Sequence, residues 1–276
     1  MRPTTSTMPL ATLLAPLVTA LLLAGCASGP PPGPSPAELA GQRSKIVIIA
    51  PFNVVSSLPP ELEGSTRMVS KEMVEYLEAH GKTVKRMAFR AGRDLWKASM
   101  QEVSESGQAR NFENAAKVYA RKIGEHLEYD VVIVPSLFVQ NAEAYGRTAK
   151  WDGAKQTIPL EGGTGSTQMY HGNLGKLSVR AASLFVHVVD SSGETVHTRK
   201  SGLELIQHLE FHVEKDGQYS GGEHVFQGLV DDQPPIQDVE RVREGIAAVF
   251  VPFLPEEIPP QGPVTPFNTE AGSAAR

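Results

Sequence analysis

Cysteine is almost missing from this chain of 276 residues: Cys26 is the only one. An intrachain disulfide is therefore excluded, and so are zinc centres built from paired cysteines. An excess of positive charge is missing too, since 26 Lys and Arg stand against 31 Asp and Glu, a formal net of −5. That balance argues against a nucleic-acid partner, which calls for a basic face. No apolar run has the ~20 residues of a spanning helix. The nearest approach, residues 10–24, is interrupted by Pro16. There is no Gly-x-Ser-x-Gly elbow, so no serine nominates itself as a nucleophile. The expectation is a protein that is not an enzyme and carries no cofactor.

What is present begins with an address. Arg2 opens the chain, residues 10–24 have the length of a signal-peptide apolar region, and Leu23-Ala24-Gly25-Cys26 closes it. These four residues resemble the lipobox of bacterial lipoproteins. The resemblance implies cleavage before Cys26, a diacylglycerol thioether on its sulfur and acylation of the new amino group. Several acyl chains anchor stably where one binds only marginally, at about 0.8 kcal/mol per buried CH₂. Ala27, rather than an aspartate, follows the cysteine. By the sorting rule of Gram-negative lipoproteins this implies transfer to the outer membrane, with the domain facing the periplasm. Residues 28–40 are rich in Pro, Gly and Ser and read as an extended spacer.

The remainder alternates in a way that fixes a fold class. Residues 46–50 and 131–134 are continuous apolar runs rich in β-branched residues, the pattern of strands buried on both faces. Between them a helix after Pro59-Pro60 carries Leu62, Thr66, Val69, Met73, Tyr76 and Leu77 on one face and stops at Gly81. Residues 83–89 read as a second strand. Asp94 is the expected cap of a short helix with Trp96, Met100 and Val103, and Asn111 of a helix with Phe112, Ala116, Tyr119 and Ile123. Such β-α-β-α-α-β order favours parallel pairing with right-handed crossovers.

After Pro135 the pattern turns antiparallel. Residues 137–150 look extended, and Trp151-Asp152-Gly153-Ala154 is a hairpin signal. Residues 161–176 hold five glycines and read as a loop. Residues 177–189 and 194–200 form a meander around Asp190-Ser-Ser-Gly193, and residues 203–213 alternate as one strand, core on one side and wet on the other. Asp238 caps a final helix that Pro252 and Pro255 end. The reading is α/β: a single domain with a mixed sheet, a βαβ-type first half, an antiparallel second half and a C-terminal helix. Its expected organisation is a signal peptide over 1–25, a lipidated Cys and Pro-rich linker over 26–44, the domain over 45–254 and a disordered tail over 255–276.

This order resembles a group of envelope lipoproteins and periplasmic domains. The group includes the curli-secretion lipoprotein, the lipoprotein activator of penicillin-binding proteins and the amino-terminal domain of the periplasmic Tol protein. The matching stretches are Lys45-Ile-Val-Ile-Ile-Ala-Pro-Phe52, the helix through Leu77, Tyr129-Asp-Val-Val-Ile-Val-Pro135 and the meander over 178–200. The resemblance implies a non-catalytic partner of an envelope complex, reached through the membrane anchor, with assembly of several copies in some members. It transfers no catalytic residue.

Three constellations compete with that reading. His208, Glu210 and His212 are the best metal candidates, with His187 or His197 as a third ligand from a paired strand; a metal-dependent periplasmic enzyme is the function they would serve. On a strand, however, same-face neighbours stand ~7 Å apart and the two histidines about twice that. A solvated sheet face explains them as well. Glu161-Gly-Gly-Thr-Gly-Ser166 is followed by more loop and then a strand, where a phosphate loop needs a helix, and it lacks the lysine-hydroxyl ending. Lys82, Lys85, Arg86, Arg90 and Arg93 form a basic cluster suited to anionic lipid or glycan, or simply to a solvated edge strand. Trp96 and Trp151 read as packing. A ring-forming secretion-channel subunit is the remaining alternative.

Overall fold

Ile46–Ile49 forms the central strand, β1, because four β-branched side chains in a row suit a pleated surface buried on both faces. Val47 and Ile49 enter one core, Ile48 and Ala50 the other. The computed structural model describes residues 33–161, 176–215, 223–231 and 236–255. From Pro34 onward the chain is one compact unit.

That unit starts before the expected boundary at residue 45. Pro36–Arg43 is a helix, α1, where an extended spacer was expected through residue 40. Ser35 and Glu38 cap it reciprocally and Pro36 occupies its first turn, a local start signal that overrides the proline-rich context. Gly41 lets it dock: a Cβ there would lie 1.6 Å from the Phe253 carbonyl oxygen.

After β1 comes a 3-10 turn, Pro60–Ser65, and then α2, Thr66–Ala79, which buries Val69, Met73 and Leu77 at four-residue spacing. Gly81, at φ 74°, ends it as expected. Strand β2, Thr83–Arg86, pairs parallel with β1. Helix α3 spans Phe89–Glu105, so β2 is shorter than the sequence implied, and Asp94 lies inside the helix instead of capping it. The last rung from this segment is Met87 N–H to Ile49 O at 2.9 Å; β1 ends there, so no ladder remains to hold residues 88 and 89 extended. Helix α4, Phe112–Gly124, does have its expected cap, with Asn111 accepting from the Asn114 N–H at 2.9 Å.

Strand β3, Val131–Tyr145, starts parallel to β1 and is then paired along its whole length, antiparallel, with β7, Lys176–Asp190. Between them in the chain come β4, Thr148–Trp151, β5, Ala154–Thr157, and the two-residue β6, Leu160–Glu161. Asp152 and Gly153 both have positive φ, the backbone that the Asp-Gly hairpin signal requires. Strand β8, Thr195–Leu205, completes the large sheet against β7. Helix α5, Val239–Phe250, is capped by Asp238 as expected. One face of the sheet packs on α2 and α5, the other on α3 and α4.

The alternating stretch over 203–213 is two strands, not one. Strand β8 ends at Leu205, and β9, Gln207–Lys215, belongs to a second sheet with β10, Glu223–Asp231, and β6. Ile206 is the cause: apolar beside Leu205, it breaks the alternation and is itself buried. His208 is consequently buried as well, where a wet face was expected.

Candidate binding crevice

The parallel strands order the molecule into two ends. At their amino ends, the Asp130 carboxylate accepts from the N–H groups of Lys45 and Ile46 at 2.6 and 2.8 Å, which hold it below the usual carboxylate range. Beside it Lys82 Nζ donates to the carbonyls of Gly41 and Ser44 at 2.6 and 2.7 Å and so fastens α1. Burial lowers the pKa of that lysine, with Asp130 opposing the shift. These bonds fasten α1 at this end, beside a pocket of about 450 Å³ that Gly41, Lys82, His80 and residues 251–255 line.

The carboxyl end carries a pocket as well. Strands β2 and β3 lie on opposite sides of β1, reached over opposite faces, and ligand sites of open α/β sheets lie outside such a reversal point. Here a crevice of about 540 Å³ is walled by the loop Phe52–Leu58 and by Glu63, Phe89, Arg93 and Trp96.

Asn53 shapes that loop. Strand β7 takes one edge of β3 throughout, so β1 and β4 share the other edge, at residues 131–133 and 143–145. Asn53 fills part of the gap between them. Its N–H donates to Pro135 O at 3.0 Å, its Nδ2 to Leu137 O at 2.8 Å, and its Oδ1 accepts from the Leu137 N–H at 2.8 Å. The side-chain amide thus replaces a strand. The residue is buried and has φ 55°, a left-handed conformation that asparagine tolerates better than most.

The floor is Trp96, packed edge-on to Tyr119 at 5.3 Å and tilted on Phe112 at 5.5 Å. Burial raises the pKa of the Tyr119 hydroxyl, which keeps it neutral. The rim carries Phe89, 59% exposed, with the Arg93 guanidinium 5.9 Å from its ring centre.

The five-residue basic cluster of the sequence divides. Lys82 holds α1, and Lys85 Nζ donates to Glu128 O at 3.2 Å. Arg86, Arg90 and Arg93 stay exposed at the carboxyl end, joined by Lys97 on the next turn of α3. Among the described residues none of these four forms an ion pair, whereas on α4 Lys117, Arg121 and Lys122 all reach glutamates.

The other sequence candidates are placed as follows. Cys26 and the glycine loop over 162–175 lie outside the described residues, as does the tail from 256. His208 lies on β9, buried; Glu210 and His212 follow on the same strand, opposite Gly228 and Phe226, with their side chains outside the described residues. Their spacing is that of a strand, so the helical zinc spacing is not formed. Among the described residues no three His, Cys, Asp or Glu side chains converge. Both nitrogens of His187 are occupied by hydroxyls, Thr195 at 2.7 Å and Thr198 at 3.2 Å, and burial pushes its pKa down to about 4. His197 Nε2 is bonded to Val249 O at 2.8 Å, and burial lowers its pKa too. Both histidines serve packing. Trp151 donates to Ala182 O at 3.1 Å within the hairpin core.

From the sequence Asn53 reads only as part of the strand-ending Pro51-Phe52-Asn53, and Phe89 as the last residue of a strand. Asn after Pro-Phe is a visible turn signal for the loop, whereas nothing local marks Phe89 as part of a rim.

The molecule is thus a three-layer α/β domain with a crevice at the carboxyl end of its parallel strands. No family model matches the chain, and no curated protein matches it.

Proposed function

We propose that the chain is a membrane-anchored periplasmic lipoprotein whose domain acts as a non-catalytic binding or assembly partner of an envelope complex. The observation that carries this is Leu23-Ala24-Gly25-Cys26 at the end of its apolar run. The polarity of the fold supports it. The chain enters the domain through α1, fastened at the amino ends of the strands, while the crevice opens at their carboxyl ends. The four residues of β1 separate the two ends by about 13 Å. A tether at the first end leaves the second free to meet a partner.

In-cell crosslinking of the wild type against Cys26→Ser tests the reading. The wild type is expected in the outer-membrane fraction, crosslinked to an envelope protein, and the variant uncleaved or soluble with that product lost. A wild type that yields no envelope partner would overturn it.

A ring-forming channel subunit is the second reading, favoured by the hairpin β9–β10. Its nine paired residues set Leu209, Phe211 and Val213 opposite Leu229, Gln227 and Val225, and nine is the length of a membrane-crossing strand. Sizing in detergent separates the two: a monomer or dimer refutes the ring.

A further inference from the structure

Among the described residues strand β2 is an edge of the large sheet, with β1 as its one neighbour. The Thr83 N–H donates to Lys45 O at 2.8 Å and the Met87 N–H to Ile49 O at 2.9 Å. Bonding residues alternate along a strand, so Val84 and Arg86 turn their N–H and C=O groups to the open side. Three pockets follow that edge. The first, about 410 Å³, includes Glu75, Val84 and Arg86; the next, about 370 Å³, shares Arg86; and the crevice, about 540 Å³, shares Phe52 with it. Together they form one trough, from the open edge of β2 to the carboxyl end of the sheet.

Charge gives the trough a direction. Its α2 end holds Glu75 and Glu78, the former engaged by Lys71 at 3.1 Å. Its crevice end is bordered by Arg86, Arg90, Arg93 and Lys97, all exposed and free of ion pairs among the described residues. Acids stand near them as well, Glu63 in the crevice wall and Asp94 on α3, yet neither pairs with these four. Four unneutralised cations on a chain of net −5 are a local exception to its overall charge. Beside them Phe89 presents an exposed ring.

From this we infer that the trough binds an extended, acidic peptide segment of the partner protein, added as a strand to β2 and ending with a carboxylate-bearing, apolar stretch over Phe89. The inference rests on the binding-partner reading and names the partner's chemistry. An anionic lipid surface would satisfy the cations. It has no repeating donors and acceptors for Val84 and Arg86, whereas a peptide backbone has both. A segment of about eight residues spans β2 and the crevice.

The probe is a display library of random eight-residue peptides, panned on the full-length chain extracted in detergent. Glu- and Asp-rich sequences are expected to enrich, and the best of them to bind about tenfold or more weaker to Arg90→Glu/Arg93→Glu, as loss of charge-assisted bonds implies. Val84→Pro removes an N–H that points away from β1 and is expected to weaken binding similarly; because Val84 also packs on the core, Val84→Ala, which keeps the N–H, is the control and is expected to bind normally. No acidic enrichment, or binding indifferent to both variants, overturns the inference. So does equal, variant-sensitive binding to phosphatidylglycerol vesicles, which would mark a lipid surface. Capture by the chain's own residues 255–276, which include Glu256, Glu257 and Glu270, in place of the library peptide counts against it as well. The Cys26→Ser chain is expected to bind the peptide normally. Normal acylation with no peptide binding therefore sinks this inference alone, and peptide binding without acylation sinks the anchored reading alone.

Discussion

Replacing Asn53 by alanine removes two 2.8 Å bonds to the backbone of Leu137. Leu137 is fully buried, so its N–H and C=O lose their partner in the core edge. A buried group left unsatisfied costs about 1–3 kcal/mol. Alanine at φ 55° adds roughly 1 kcal/mol that asparagine largely avoids. With two such groups the cost is about 3–7 kcal/mol, a large share of the roughly 5–15 kcal/mol that holds a domain together. Asn53→Gly removes the conformational part and keeps the amide loss, so it should lie about 1 kcal/mol above alanine. Urea unfolding followed by tryptophan fluorescence reads both, since Trp96 floors the crevice. An Asn53→Ala midpoint within about 1 kcal/mol of wild type would show that the loop is held by something other than this amide.

Acid should destabilise the protein through His187. Burial holds its folded pKa at about 4, below the 6.5 of a free imidazole, so the unfolded chain binds the proton first. Stability is intact above about pH 6.5 and declines toward pH 4, with a loss approaching about 3 kcal/mol. His187→Gln should flatten that limb of the thermal midpoint against pH, and an unchanged slope would refute the assignment. Gly41→Ala should undock α1 from Phe253, read as lost hydrogen-exchange protection over Pro36–Arg43 with the sheet still protected. Glu72 is buried, which pushes its carboxyl up, yet bonds from Arg243 at 2.7 Å and Lys71 at 3.2 Å outweigh that and hold it down. Because both cations are more than half exposed, Glu72→Gln should cost only about 1–2 kcal/mol in urea unfolding.

The parts of the fold that local pattern controls were legible. The β-branched runs of β1 and β3 announced strands buried on both faces, and Asn111, Asp238 and Asp152-Gly153 announced their caps and turn. Parts set by distant partners were not. Helix α3 begins at Phe89 because β1 has run out, a fact carried some 40 residues earlier in the chain. Asn53 matters because β3 is long enough to leave a gap between β1 and β4, which no window around residue 53 reveals. Two misses had local signals: the Ser35–Glu38 capping box of α1, and Ile206 beside Leu205, where the alternation stops.

The tether is tested most directly by the intact mass of protein extracted from the outer membrane. The expected species begins at Cys26 and carries a diacylglycerol thioether and an acylated amino group. A chain that retains residues 1–25, or begins at Cys26 with a free thiol, would contradict the anchored reading.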